Sequence, residues 1–224
     1  RTCDFSDSTK AGTGALLAAC DAVKAGSDKS VMVCASDCRL GKAGSPQEMI
    51  FGEGAAALLL GNSDVIATLE GFHSLSYDFM DQWRADGDKF NRTWEDRWVR
   101  DEAYMKFIPE AISMLLKKYK LNIKDFAKVI FPCIYFREHQ GIARALQLDA
   151  KQVQQEMLTT VGDTGTAHPL MMLVAALEDA KPGDKILMAS YGNGSDALFF
   201  QVTEHIDKVK DRRGIKKHLN SKKE

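Results

Sequence analysis

The feature that most constrains this chain is the regular alternation of helix-like and strand-like apolar segments after residue 101. An amphipathic helix is predicted over 102–119, where apolar residues recur every three or four positions. Strands are predicted at 129–135, 185–191 and 197–203, and helices at 137–146, 150–158 and 168–180. Because such alternating elements pack in layers, the order predicts an α/β fold with helices on both faces of a sheet.

The first 77 residues predict one more helix and three more strands. Small side chains surround the predicted helix at 13–25, which indicates close burial, and Gly26 behind it predicts a C-terminal cap. Strands are predicted at 31–36, 52–61 and 65–77. The segment 52–61 is rich in Ala and Leu, which favour helices, but its flanking glycines and short length favour a buried strand.

Residues 78–101 mix aromatic and charged side chains and leave two interpretations open. They form either a surface excursion that aromatic side chains pin down, or a lid or partner-facing insertion. At the other end, residues 208–224 hold eight Lys or Arg and two acids. We interpret residues 206–224 as a solvated basic tail or linker, with docking to an acidic partner as the alternative.

Composition excludes several classes of protein. The 224 residues are 45% hydrophobic and carry 30 basic against 31 acidic side chains, which argues against disorder and against a dedicated nucleic-acid binder. No apolar run approaches the roughly 18 residues of a membrane span. The five cysteines lack a CxxC pair, so we expect reduced, mostly buried thiols in a cytoplasmic protein. Neither His nor Cys shows metal-ligand spacing, so we expect no metal site.

The residues alone offer two candidate sites. Gly192, Gly194 and Ser195 lie between two predicted strands, where backbone N–H groups could face an oxyanion or phosphate; a plain tight hairpin is the equally weighted alternative. Cys133 and His139 could pair as nucleophile and base, although a cysteine in such an apolar segment is more often a packed core thiol.

Three stretches together resemble the thiolase superfamily, in particular its hydroxymethylglutaryl-CoA synthase branch of archaeal and bacterial type. They are Thr9-Lys10-Ala11-Gly12-Thr13, the Gly-Ala-rich stretch 51–61, and the stretches 161–165 and 180–197, which include Gly192-Asn193-Gly194-Ser195. The resemblance implies a duplicated αβαβα layered sandwich. Residues 1–64 would be the end of an incomplete first half, 65–205 the complete second half with an insertion at 78–101, and 206–224 the tail.

The same resemblance implies that the chain, which opens at Arg1, lacks about a hundred N-terminal residues of a full family member. The strand at 31–36 should then border an incomplete sheet, whose apolar surface is bare unless another chain covers it.

Carried over residue by residue, the resemblance implies that the catalytic positions are replaced. Thr9 stands at the position of the nucleophilic Cys, and Pro132 at that of a His after a strand. Asp163 stands at the position of an Asn in a Gly-Asn-Thr motif, where a carboxylate would repel a developing oxyanion. His168 echoes the Gly-His-Pro-Leu of degradative thiolases, but we place it in the first turn of the next helix as a weak pocket candidate.

Two functions remain open at this stage. The first is a non-catalytic thiolase-fold subunit that binds acyl-CoA or supports an acyltransferase complex. The second is an active acyl-CoA acyltransferase that uses Cys133, His139 or His168. For the first, the resemblance implies homo- or hetero-oligomers with thiolase-fold subunits, a zinc-ribbon/OB-fold partner, and acyl-CoA as ligand at Gly192, Gly194 and Ser195, with no tightly bound cofactor.

Overall fold

A computed structural model describes residues 1–6, 8–209 and 214–221 of the chain. The strands are β1 (Ser30–Asp37), β2 (Gly54–Gly61), β3 (Ala67–Ser76), β4 (Gln82–Trp83), β5 (Arg92–Thr93), β6 (Lys128–Ile130), β7 (Lys185–Tyr191) and β8 (Gly194–Val202). The α-helices are α1 (Ala11–Lys24), α2 (Pro46–Ile50), α3 (Asp96–Val99), α4 (Met105–Tyr119), α5 (Phe136–Ala145), α6 (Leu158–Val161), α7 (His168–Asp179) and α8 (Lys216–Asn220).

The larger sheet has four strands in the order β3-β8-β7-β6. Only β6 and β7 run parallel, and the other neighbours are antiparallel. Alternate residues of β7 point to opposite faces. Ile186 and Met188 pack in the core that includes α7, whereas Leu187 and Ala189 pack in the core that includes α4. Both faces of this sheet are therefore covered by helices, as the alternation of segments predicts.

The smaller sheet is the antiparallel ribbon β1–β2. Val33 and Ala35 on one face are buried in the core that α1 and α7 share with the large sheet. The opposite face is open: Met32 and Leu59, which are partners across the ribbon, are 63% and 73% exposed. This agrees with the expectation that the strand at 31–36 borders an apolar surface without cover.

Residues 78–101 fold as the two-stranded β4–β5 hairpin and α3, and a π-helical turn over Arg100–Tyr104 then leads into α4. Contacts between aromatic rings attach the segment to the body of the protein. Phe79 lies 4.3 Å from Trp98, centroid to centroid, and meets Phe107 of α4 edge-on at 5.5 Å. The aromatic side chains pin the excursion as the first interpretation states, and a lid or partner-facing role stays a prediction.

Two predicted elements are wrong. The strand expected over 129–135 ends at Ile130, because Pro132 has no N–H to continue the ladder. The helix expected over 150–158 is absent. Residues 150–152 instead form a turn, and Val153 forms a parallel bridge with Val129 of β6. There the backbone N–H of Val129 donates to Gln152 O at 2.7 Å, and Gln154 N–H donates to Val129 O at 3.0 Å. Pairing with a buried strand outweighs the helical propensity of a Gln-rich segment.

The expectation of mostly buried thiols is also wrong. All five cysteines are free, but only Cys133 is buried. Cys3, Cys34 and Cys38 are exposed, and Cys34 lies on the open face of the β1–β2 ribbon. The exposure of Cys34 follows from the bare face, since an apolar strand predicts burial only where something packs on it.

The predicted basic tail lies partly outside the described residues, because 210–213 and 222–224 are not described. Its described parts are a 3₁₀ helix at Glu204–Lys208 and α8. Among the residues that the structure describes, no helix combines the length and the apolarity that a membrane span requires.

Candidate functional site

Thr9 lies just before the first turn of α1, with its hydroxyl already engaged. Its Oγ1 donates to the carbonyl oxygen of Tyr191 at 2.8 Å. The chain can approach so closely because residue 192 is glycine: a Cβ there would lie 2.5 Å from Thr9 Oγ1. Position 9 therefore sits against the end of β7, and its hydroxyl hydrogen bonds to the backbone and not to a base.

A partly buried ion pair next to Thr9 fixes the start of α1. Lys10 Nζ lies 3.2 Å from Asp196 Oδ1 on β8 and donates to Leu75 O on β3 at 2.9 Å. Thr13 Oγ1 donates to the other oxygen of Asp196 at 2.6 Å. Sequence reasoning missed this network. The available signal was Asp196 itself, since a carboxylate within an apolar strand requires a partner.

The glycine loop between β7 and β8 is a tight hairpin. Two of its candidate binding groups, the Gly192 N–H and the Ser195 hydroxyl, already donate hydrogen bonds within the chain. Gly192 N–H donates to Gly194 O at 3.0 Å, and Ser195 Oγ donates to Ser190 O at 2.9 Å. Asn193 O accepts from Tyr77 N–H at 3.0 Å. These groups are bonded within the chain, and contact of the loop with an acyl-CoA stays a prediction.

Pro132 and Cys133 directly follow the short strand β6. Pro132 offers no side-chain hydrogen bond. The Cys133 thiol donates weakly to Tyr135 O at 3.5 Å, and burial raises its pKa to about 12. A thiol with so high a pKa is almost entirely protonated near neutral pH and is a poor nucleophile.

His139 lies in α5 and does not activate Cys133. Its ring stacks on Phe131 with centroids 4.5 Å apart, and burial lowers its pKa. Its Nε2 has no hydrogen-bond partner, and no hydrogen bond joins it to Cys133 in the part of the chain that the structure describes. The predicted pair therefore lacks the contact that nucleophile activation requires.

Asp163 lies in the turn between α6 and α7, with both carboxylate oxygens bonded. Oδ1 accepts from Gly165 N–H at 2.9 Å, and Oδ2 lies 2.8 Å from Arg39 Nη2. Arg39, just after β1, was not recognised from the sequence. Burial by itself would lower the pKa of its guanidinium, but Asp163 and Asp37 more than offset this and raise it.

His168 opens α7, as predicted, and is buried. Its Nδ1 accepts from the backbone N–H of Thr164 at 3.3 Å, which places the proton on Nε2. In the part of the chain that the structure describes, Nε2 has no hydrogen-bond partner. Burial lowers the pKa of His168, and the nearby Asp163 opposes that effect. His168 is therefore close to the Asp163 turn and is neutral near pH 7.

Aromatic side chains from three segments meet at Tyr191, the last residue of β7. The Tyr104 ring stacks on Tyr191 at 3.9 Å and meets Tyr135 edge-on at 5.4 Å. Asp81, only 4% exposed, adjoins them, and desolvation raises its pKa. Burial, and then the charge of Asp81, raise the pKa of Tyr191 far above its ordinary value. Sequence reasoning missed Asp81 and the three tyrosines, whose meeting depends on elements far apart in the chain.

Two cavities of about 810 and 670 Å³ lie elsewhere. The larger lies between α1, β2 and α7, and the smaller lies along β1, α1 and residues 1–5. Neither is lined by Thr9, Pro132 or Asp163. Among the described residues, no group of three or more His, Cys, Asp or Glu side chains is placed to hold a metal ion.

This chain is similar in sequence to parts of two kinds of acyl synthase. Residues 116–198 match the model of the C-terminal region of 3-oxoacyl-[acyl-carrier-protein] synthase III. The hydroxymethylglutaryl-CoA synthase of Methanopyrus kandleri is 33% identical over 212 residues, which cover 93% of this chain and 60% of that protein. That of Pyrobaculum arsenaticum is 33% identical over 204 residues, 90% of this chain and 58% of the relative. The chain thus spans about three fifths of these relatives.

Solved structures show the fold. A hydroxymethylglutaryl-CoA synthase complexed with CoA superposes with a TM-score of 0.82 at 20% identity, over 96% of this chain and 60% of the other. The 3-oxoacyl-[acyl-carrier-protein] synthase III of Aquifex aeolicus gives 0.76 at 20% identity, over 88% of this chain and 66% of the other. The predicted fold class is confirmed: the chain has the thiolase-like α/β fold over the part that it covers.

Proposed function

Because the chain combines a thiolase-like fold with one third sequence identity to hydroxymethylglutaryl-CoA synthases, we propose that it is a non-condensing thiolase-fold subunit. In this role it binds acyl-CoA or supports an acyltransferase complex. One observation carries the proposal. The positions that the resemblance assigns to the nucleophile and to the oxyanion amide hold Thr9 and Asp163, and both side chains are bonded within the chain.

The chemistry of these replacements supports the proposal. A threonine hydroxyl needs a base to become a nucleophile, and that of Thr9 donates to a backbone carbonyl. Pro132 can neither accept nor deliver a proton. Asp163 places negative charge where a condensation would develop negative charge of its own. All three replacements thus act against acyl transfer by the family chemistry.

An active acyltransferase with non-standard residues is the second candidate. The observation in its favour is that His139 and His168 each have a buried Nε2 with no hydrogen-bond partner among the described residues. Against it stands Cys133, the only buried cysteine, whose pKa of about 12 leaves almost no thiolate near neutral pH.

The proposed partners follow from the same role. The open face of the β1–β2 ribbon supports assembly with a further thiolase-fold subunit, either a copy of this chain or a different one. A zinc-ribbon/OB-fold partner and a cytoplasmic location belong to this proposal as well, on the strength of the resemblance.

Intact-protein mass spectrometry after incubation with acetyl-CoA, together with calorimetric titration of CoA, tests the proposal. We expect CoA binding without a covalent acetyl adduct. A hydroxymethylglutaryl-CoA synthase treated in the same way provides the positive control for acylation. An adduct on this chain would overturn the non-condensing role, and its loss in Cys133→Ser would assign the acyl group to that thiol.

A further inference from the structure

Arg39 is a largely buried cation beside the Asp163 turn, with contacts to four other residues. Its side chain is 9% exposed. Nε lies 3.2 Å from Asp37 Oδ2, Nη1 donates to Gln82 Oε1 at 2.7 Å, and Nη2 lies 2.8 Å from Asp163 Oδ2. The guanidinium also lies over the Phe51 ring, 4.4 Å from its centroid. One side chain thus joins β1, β4 and the connection before β2 to the turn that precedes α7.

The backbone of Asp163 is fixed as firmly as its side chain. Its carbonyl oxygen accepts from Arg39 Nη2 at 3.1 Å and from Gly52 N–H at 3.0 Å, and its own N–H donates to Ile50 O at 2.7 Å. The side chain at position 163 therefore cannot avoid Arg39 by a movement of the turn.

The hydrogen-bond pattern at position 163 accepts a carboxylate and rejects an amide. Two donors face the side chain: the Gly165 N–H at Oδ1 and the Arg39 guanidinium at Oδ2. A carboxylate offers two acceptors, whereas an asparagine offers one acceptor and one NH₂ donor. In either orientation of an asparagine amide, its NH₂ group would face one of these two donors.

We propose that Arg39 is the positioning residue of this turn: it holds Asp163 as a carboxylate and excludes the amide that the family motif places there. The absence of an amide donor at position 163 is then specified by Arg39, which lies just after β1 and 124 positions away in the chain. Restoring asparagine alone cannot rebuild an oxyanion site while Arg39 is present. The statement about the oxyanion site rests on the proposed function. The pairing rule, that Arg39 requires a carboxylate at position 163, concerns only the folded chain.

Thermal unfolding of four proteins tests the rule: wild type, Asp163→Asn, Arg39→Met and the double variant. Methionine keeps the length of the stem and its packing on Phe51. With Arg39 present, we expect Asp163→Asn to lower Tm by about 6–12 °C. In the Arg39→Met background the same change should leave Tm unchanged or raise it, because the carboxylate has lost its cation. Equal losses in both backgrounds would overturn the proposal.

Chemical rescue by a small carboxylate distinguishes specific pairing with Arg39 from a purely structural role of the Asp163 side chain. In Asp163→Ala, formate should enter beside Arg39 and raise Tm by several degrees more than chloride at equal ionic strength. Arg39→Met combined with Asp163→Ala, the matched control, should show no such difference. A formate effect no larger than that of chloride, or equal in both variants, contradicts the pairing. An acetyl adduct in the mass spectrometric experiment would refute the proposed function without altering either result.

Discussion

At the scale of single residues, burial decides what the titratable groups near the site can do. Cys133 is enclosed by the core around α4 and β7, so its thiolate is strongly disfavoured. His139 and His168 are held neutral for the same reason. Groups that look reactive in the sequence are therefore components of the core. Their ionisation affects the free energy of unfolding.

Cys133 makes a specific contribution to alkaline unfolding. The pKa of this thiol is about 12 in the folded chain and 9.0 when the thiol is not buried. The stability that comes from burying the neutral thiol is therefore complete below pH 9 and is lost as the pH rises toward 12. We expect this thiol to lower the free energy of unfolding by about 1.4 kcal/mol per pH unit across that window. Urea unfolding from pH 8 to 11 measures it, and Cys133→Ala should lose stability less steeply than wild type.

The matched control for lost packing is Val129→Ala, which removes buried apolar atoms of the same core without removing a titratable group. It should lower the whole stability curve and keep the wild-type slope. Parallel curves for wild type and Cys133→Ala would show that the thiol does not titrate as burial demands.

At the scale of elements, small residues let α1 lie close to its neighbours on one side only. A Cβ on Gly12 would lie 2.6 Å from the carbonyl oxygen of Thr166, whereas a Cβ on Gly14 would meet nothing within 4 Å. Gly12 N–H also donates to Thr166 Oγ1 at 2.6 Å. The packing of α1 thus requires glycine at position 12 and does not require it at position 14.

Alanine substitutions at these two positions should have opposite signs. Gly12→Ala forces α1 away from the 165–167 turn and should cost about 1–3 kcal/mol. Gly14→Ala reduces the conformational entropy that the unfolded chain loses when the helix forms, and should gain about 0.5–1 kcal/mol. Chemical denaturation of both variants compares them directly, and each serves as the control for the other. If Gly12→Ala proves neutral or stabilising, the contact with Thr166 is not close in solution.

At the scale of the whole molecule, the two sheets differ in how completely they are covered. The four-stranded sheet has a core on each face, whereas the β1–β2 ribbon has a core on one face and solvent on the other. The chain also spans about three fifths of the relatives that it matches. Met32, Cys34, Ala57 and Leu59 thus form an apolar surface that, in this chain alone, faces water.

Charging that surface should leave the fold intact. Met32→Lys combined with Leu59→Glu introduces opposite charges at directly paired positions, so we expect a change in stability within about 1 kcal/mol. Binding of a hydrophobic dye and self-association in sedimentation should both fall. Val33→Lys, one residue along on the covered face, is the control and should prevent folding. Unfolding by the double change would show that the face is packed in solution.

Local signals in the sequence accounted for most of the elements and for few of the site contacts. The α1 and α7 helices and the strands β1, β2, β3, β7 and β8 follow from patterns of apolar and small residues, and they are confirmed within a few positions. The prediction of a helix at 150–158 was wrong because a neighbouring strand decides the conformation of this segment. Arg39, Asp81 and Tyr104 carry no local pattern of function, since their importance arises from partners distant in sequence.

The sequence by itself determined the layered α/β fold, the order of its elements and the chemical nature of Thr9, Pro132 and Asp163, because these depend on residue type and local periodicity. Only the tertiary structure decided how those residues are used. It showed that Asp163 is paired with Arg39, that Thr9 bonds to Tyr191, and that one face of β1–β2 is bare. The physical reason is that hydrogen-bond partners, burial and charge compensation are set by segments that meet only when the chain has folded.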